Sequence, residues 1–326
     1  MKISRSGWMT AALAAQVLGG GAALAENWDL PAAYPATNFH TETAVAFGAC
    51  VKGATAGRVD VTVHPNGALF KGNDIKRAVQ TGQAPIGERL ISAHANENAL
   101  FGVDSIPFLA SSFDASEKLW KAARPELEKL FASQNLVYVY AVPWPPQGLY
   151  TKKPVNSVAD LKGVKFRSYS VATARIAELA GMIPVQIEAA DLSQALATGV
   201  ADSFISSGST GFDVKAWEYM THFYEVDAWL PRNVVFANKD AFAKLSAADR
   251  AAMMKCGDQA AADGLAKSRA LTQKYIDALA ANKMTVGKPN ATLKGELDAY
   301  GKTMTAEWAA KAGAAGKAIV DAYAAK

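Results

Sequence analysis

Arg167 closes a short apolar run, Val164 to Arg167, and is followed at once by Ser168-Tyr169-Ser170. Strand ends and irregular segments are where α/β folds place ligands. A guanidinium there presents a planar fork that grips a carboxylate through two parallel hydrogen bonds. The same side chain serves equally as half of an inter-lobe salt bridge, and the residues alone leave both readings open. Other chemistry lacks its spacing. His40, His64, His94 and His222 are scattered, and neither His-x-x-x-His nor Cys-x-x-Cys occurs, so no metal is expected. There is no Gly-x-Gly-x-x-Gly after a strand, no phosphate loop and no Gly-x-Ser-x-Gly elbow, and Ser207-Gly208-Ser209 resembles nothing catalytic. No cofactor and no catalytic residue is therefore expected. Glu88 and Glu188 form an imaginable carboxylate pair, but solvated or salt-bridged glutamates are the simpler reading. An exported enzyme acting on a small organic acid stands second to a binding protein.

The elements that must position Arg167 alternate short apolar runs with helical patterns, as in an α/β protein. His40 to Ala54 reads as a helix, Arg58 to His64 as a strand, Asn73 to Thr81 as a short helix stopped by Gly82, and Ala84 to Ser92 as a buried strand. Ser116 to Ser133 is a long helix and Leu136 to Val142 an apolar run. Pro143-Trp144-Pro145-Pro146-Gln147-Gly148 is a stiff irregular crossing that suits a lobe boundary. A second unit follows: a one-turn helix over Asn156 to Gly163, the strand Val164 to Arg167, and a helix from Val171 to Ala180. Asp74-Ile75-x-x-Ala78-Val79-x-Thr81-Gly82-x-Ala84 recurs as Asp191-Leu192-x-x-Ala195-Leu196-x-Thr198-Gly199-x-Ala201, the mark of one α/β unit used once per lobe. Ser246 to Asn282 reads as one helix with a capping-box-like start at Ser246 and Asp249. At 1.5 Å per residue it spans about 50 Å, enough to cross both lobes. Leu293 to Ala325 supplies further helix expected to cover the second lobe.

The chain has 326 residues, half of them apolar, with 34 basic against 30 acidic groups. That composition excludes disorder and coiled coil, and without a basic run nucleic acid is not an expected partner. Residues 1–25 read as a secretory signal peptide: Lys2 and Arg5 precede a short apolar stretch broken by Gly19-Gly20-Gly21, and Ala23-Leu24-Ala25 offers a cleavage site. Export to an oxidising compartment lets Cys50 and Cys256 form a bridge if their Cα atoms lie within about 7 Å. Two buried thiols are the alternative.

Four segments in order carry a resemblance: Gly67-Ala-Leu-Phe-Lys71 before Asp74 to Gly82, Phe101-Gly-Val-Asp-Ser-Ile-Pro-Phe108, Ser157-Val-Ala-Asp-Leu-Lys-Gly-Val-Lys-Phe-Arg167, and Ala195-Leu-Ala-Thr-Gly-Val-Ala-Asp202. With them the chain resembles the periplasmic solute receptors of tripartite ATP-independent periplasmic (TRAP) transporters, the group named for C4-dicarboxylate binding. The resemblance implies two α/β lobes around a cleft, crossing strands at a hinge, a long lobe-spanning helix and no catalysis. Lobe I is expected over 26–144 plus 231–270 and lobe II over 145–230 plus 271–326. It also implies that Arg167, ending the Leu-Lys-Gly-x-Lys-x-Arg run, grips the ligand carboxylate. A small organic acid and a membrane permease are the partners it implies, in the periplasm, with the receptor expected to be a monomer.

The sequence departs from the family where a second arginine often stands, which here is Gln147, and where Asn-Pro often follows the strand, which here is Ser206-Ser207. Around Arg167 the expected ligand contacts are Trp144, Gln147, Tyr169, Phe204, Ser206 and Arg232, with Tyr34 and either Glu88 or Arg89 from the first lobe. Strand alternation sends Glu88 and Arg89 to opposite faces, so at most one meets the ligand. Trp217 and Trp229 serve equally well as core and are not counted among the contacts. The ligand binds one lobe and the lobes close around it; the empty cleft stays open, because closing would desolvate Arg167 without compensation. If Arg232 faces the cleft, a second polar or acidic ligand group is favoured. If it pairs with a protein carboxylate such as Glu88 or Glu188, Arg167 is the sole anchor and a monocarboxylate is favoured.

Overall fold

The computed structural model describes residues 25–325; all but the last residue of the signal peptide expected over 1–25 lies outside them. In chain order the strands are β1 (Glu26–Pro31), β2 (Val59–His64), β3 (Ile86–Leu90), β4 (Leu136–Pro143), β5 (Gln147–Thr151), β6 (Lys165–Ser168), β7 (Ile183–Gln186), β8 (Ser203–Ser207), β9 (His222–Tyr224), β10 (Arg232–Asn238) and β11 (Thr285–Gly287). The helices are α1 (Phe39–Ala54), α2 (Ile75–Gln80), α3 (Phe113–Ser133), α4 (Val171–Leu179), α5 (Leu192–Ala197), α6 (Gly208–Asp213), α7 (Lys239–Lys244), α8 (Ala247–Ala281) and α9 (Ala291–Ala324).

One lobe is built on the parallel pair β1-β2 and the sheet β3-β10-β4, the other on a six-stranded sheet ordered β11-β9-β5-β8-β6-β7. Two stretches cross between them, β4 into β5 and β9 into β10. Trp144 N–H donates to Pro231 O (2.8 Å), Gln147 N–H to Trp229 O (3.0 Å) and Ala228 N–H to Gln147 O (3.0 Å), tying the crossings together. Pro145 and Pro146 have no N–H to donate, so the ladder cannot run on from β4 into β5 and the chain turns between the lobes.

The internal repeat adopts one conformation twice. A 3₁₀ turn leads into the six-residue α2 and α5, and the threonine after each sends its hydroxyl back to the carbonyl four residues earlier: Thr81 to Arg77 at 2.9 Å, Thr198 to Gln194 at 2.8 Å. Gly82 (φ +75°) and Gly199 (φ +68°) then take the left-handed conformation that glycine adopts at least cost. The second copy feeds β8, whose end meets the site.

Ser246 caps α8, its hydroxyl accepting from Asp249 N–H at 3.0 Å. This 35-residue helix packs on α1 and β4 of one lobe and on α6 and β11 of the other. Cys50 of α1 and Cys256 of α8 form a disulfide, with Cα atoms 5.8 Å apart. The terminal helix α9 differs from its expected place over the second lobe. Trp308 Nε1 donates to Ala99 O (2.8 Å) and Tyr323 OH to Leu109 O (3.2 Å), while Glu307 pairs with Arg175 of α4 (2.8 Å). Its contacts therefore join both lobes, because an alanine-rich helix carries little that selects one partner surface.

Candidate ligand-binding site

Where the two crossings meet the ends of β3, β6 and β8, a cavity of about 50 Å³ lies between the lobes. Tyr34, Trp144, Gln147, Arg167, Tyr169 and Ser206 line it, together with Pro35, Arg89, Leu90, Glu188, Ala189, Thr210, Asp213, Val214 and Pro231. A buried water needs roughly 10–15 Å³ on such a measure, so the space suits a few heavy-atom groups and not a long chain.

Arg167 stands at the end of β6 and is 3% exposed. Its Nε donates to Ile187 O at 2.9 Å and its guanidinium lies 4.8 Å from the centre of the Tyr169 ring. Among the described residues no carboxylate pairs with it, and its terminal nitrogens have no hydrogen-bond partner. Burial lowers its pKa to about 10, which leaves it protonated at neutral pH. The cation is thus anchored at one nitrogen, with its fork free for a ligand. Tyr169 is fixed in turn: Trp229 Nε1 donates to its hydroxyl (3.2 Å), which donates to Gln147 Oε1 (3.1 Å), and Gln147 Nε2 donates to Pro145 O (2.9 Å). Gln147, in place of a second arginine, therefore ties the hinge crossing to the cavity wall. The Tyr34 ring packs edge-on against Trp144, centroids 4.8 Å apart, and burial pushes its phenol up to about 12.

Two polar pairs span the lobes beside Arg167. Arg89 of β3 donates to Glu188 at 3.0 Å and to Asn73 Oδ1 at 2.7 Å. Asn38, the N-cap of α1, donates from Nδ2 to Asp213 Oδ2 at 2.6 Å. Burial pushes the Asp213 carboxyl up to about 6 against the opposing effect of that hydrogen bond.

Phe204, Arg232 and Glu88 do not line the cavity. Phe204 lies one pleat repeat deeper along β8 than Ser206 and stacks on Tyr150, its partner on β5, at 4.2 Å. Arg232 is at the return crossing, but its guanidinium bonds Glu117 (2.5 Å) and Ser116 (3.2 Å) of α3 and lies over Trp120, while its N–H donates to Asp104. The carboxylate it finds is thus Glu117, neither Glu88 nor Glu188. Glu88 faces inward, accepting from Asn233 at 3.3 Å with His40 Nδ1 at 3.7 Å, and burial pushes its carboxyl up to about 7. Alternation along β3 does separate the two charges, and Arg89 is the one that reaches the cavity. Glu188, Thr210 and Asp213 are the polar lining residues that the sequence did not point to. Glu188 follows Ile187, whose carbonyl holds Arg167, and the α6 residues follow the end of β8, so strand-end position was their only signal. Trp229 is fully buried, supporting Tyr169 from behind.

Among the described residues no group of His, Cys, Asp and Glu is placed to hold a metal ion, and no described helix is long and apolar enough to cross a membrane. The profile of the DctP family, bacterial extracellular solute-binding protein family 7, matches residues 32–311. A TRAP solute-binding protein from a marine metagenome, specific for pyroglutamate, is 54% identical, with a TM-score of 0.91 over 92% of this chain and 99% of that one. Two Bordetella pertussis extracytoplasmic receptors that bind pyroglutamic acid are also similar. DctP6 is 47% identical (TM-score 0.90, covering 91% and 99%) and DctP7 45% (TM-score 0.91, covering 92% and 99%). The family and these relatives are solute-binding receptors and not enzymes, so the exported-enzyme alternative finds no support. A two-lobed fold closed on a carboxylate-sized cavity with one unpaired arginine agrees with that relationship, and the chain belongs to the DctP family of TRAP solute-binding receptors.

Proposed function

We propose that this receptor captures a small cyclic monocarboxylate, with pyroglutamate the foremost candidate, and delivers it from the periplasm to a TRAP membrane permease. One observation carries the reading. Of the three buried arginines expected or found near the cleft, Arg89 is neutralised by Glu188 and Arg232 by Glu117, so Arg167 alone has charge to offer an anion. A second ligand carboxylate would meet no free cation and would lie near Glu188 and Asp213. Tyr34, Trp144 and Tyr169 supply flat walls for a ring, Ser206 supplies a hydroxyl, and the relatives' ligand fits this inventory. Lobe I over 26–144 plus 231–270 and lobe II over 145–290 outside that return segment move about the two crossings, with α9 joined to both. The chain reaches the periplasm through a signal peptide cleaved after Ala25 and works as a monomer.

The test is calorimetry and thermal shift of the purified, ligand-stripped protein with pyroglutamate, proline, glutamate, succinate and glucuronate. Pyroglutamate should give the largest shift, about 2.7 kcal/mol of added stability at 100 times its dissociation constant. Tighter binding of succinate or glutamate would mean that a second anion site exists and would sink the monocarboxylate reading.

A further inference from the structure

Among the described residues, Asp213 is the one acidic group lining the cavity that has no cation partner. Its Oδ2 accepts from Asn38 Nδ2 at 2.6 Å, and Oδ1 makes no hydrogen bond among the described residues. The orientation of Asn38 is fixed from its other end, because Asn38 Oδ1 already accepts the His40 N–H that begins α1, at 2.9 Å, and the side chain is fully buried. With the carbonyl oxygen committed to the helix cap, the amide nitrogen must face Asp213. Asp213, which lines the same cavity as Arg167, is thereby held with Oδ2 as an acceptor. An acceptor facing an acceptor in a closed, dry space is costly, so the ligand group that meets Asp213 has to donate. In pyroglutamate the ring N–H is attached to the carbon that bears the carboxylate. A ligand held at Arg167 by its carboxylate therefore carries a donor at short range.

We propose that Asp213, positioned by Asn38, is the specificity-determining residue that reads the ring N–H of the ligand, so that the receptor selects a lactam acid over its oxygen isostere. This rests on the reading of the site as a receptor for a pyroglutamate-like acid.

The experiment compares, by calorimetry, (S)-pyroglutamate with (S)-5-oxotetrahydrofuran-2-carboxylate, the lactone in which oxygen replaces N–H. The wild-type protein should prefer the lactam by at least about tenfold, the scale of a hydrogen bond to a charged group. In Asp213→Ala the two ligands should bind within about threefold of each other, through loss of lactam affinity. A wild-type protein that binds both ligands equally, or Asp213→Ala with the full preference retained, overturns the assignment while leaving the monocarboxylate reading in place. A wild-type protein that binds neither overturns both. The wild-type comparison decides the matter even if the variant does not fold.

Discussion

Arg89 of β3 reaches across the cleft to Glu188, which follows β7 in the other lobe, at 3.0 Å. Their guanidinium and carboxylate close over Gly72: a Cβ there would stand 2.5 Å from Glu188 Oε2 and 2.7 Å from Arg89 Nη1. The pair exists only when the lobes are together, so it stabilises the closed form and leaves the open form unaffected. Glu188→Gln should leave a buried arginine without its counter-charge in the closed state alone. We expect ligand affinity to fall about tenfold or more, with small-angle scattering showing a larger share of open molecules at subsaturating ligand. Gly72→Ala should act in the same direction through steric displacement. Unchanged affinity in both variants would mean that closure does not depend on this pair.

Arg167→Ala should cost about 2–5 kcal/mol of binding, the range for losing one partner of a buried charged pair. The ligand-free melting temperature should hold, since among the described residues no carboxylate pairs with the guanidinium. Arg167→Lys should fail almost as badly. A lysine has neither the Nε that Ile187 O holds at 2.9 Å nor the fork that presents two parallel donors. Near wild-type affinity in the lysine variant would show that charge alone suffices and that the fork is not used.

How far the sequence carries depends on range. Arg167, Tyr169, Gln147 and Trp144 all border the cavity; local pattern put each within a few residues of a strand end or a proline break, and the family resemblance, not that pattern, marked them as ligand contacts. The repeated Thr-Gly helix ends were legible for the same reason. Phe204 and Ser206 share a face by alternation, but only the one at the strand's end borders the cavity, and depth along a strand is invisible in the alternation itself. Every residue of β3 is buried, so its pattern separates Glu88 from Arg89 without saying which face is the cleft. Arg232 was misplaced because its partner, Glu117, comes from α3, 115 positions earlier. Asp213 gave only its place just past the end of β8 as a signal, since Asn38, the residue that holds it, is 175 positions away.

Glu88 should make stability depend on pH. Its folded pKa is raised by burial to about 7, from about 4.5 in an unfolded chain. Below about pH 4.5 both states hold the proton and nothing is lost. As pH rises towards 7 the unfolded chain ionises first, which draws the equilibrium away from the folded state. Glu88→Gln removes that penalty. Urea titrations across this range should show the variant gaining on the wild type as pH rises, to a ceiling on the order of 3 kcal/mol near pH 7.5. Asp104 and Asp213 are shared by both proteins and cancel in the difference, whereas His40, 3.7 Å from Glu88, is coupled to it and is read together with it. A difference that is flat with pH would show that Glu88 keeps its ordinary carboxylate pKa in the folded protein.

The Cys50–Cys256 bridge should matter for stability and not for binding. It closes a loop with a sequence separation of 206, for which chain entropy gives at most about 5 kcal/mol of stabilisation. The α1–α8 contact it fastens is also held by Lys267–Glu42 at 3.0 Å, and nearby Arg58 pairs with Asp249 at 2.7 Å. The reduced protein should therefore still fold, with a lower unfolding midpoint. The bridge lies towards the far end of α1 from Asn38, about 18 Å along a helix at 1.5 Å per residue, so the cap that aims Asp213 should be undisturbed. Denaturation and calorimetry of the Cys50→Ser/Cys256→Ser double variant check both halves. Loss of affinity with stability intact would reverse the assignment and make the bridge part of the binding machinery.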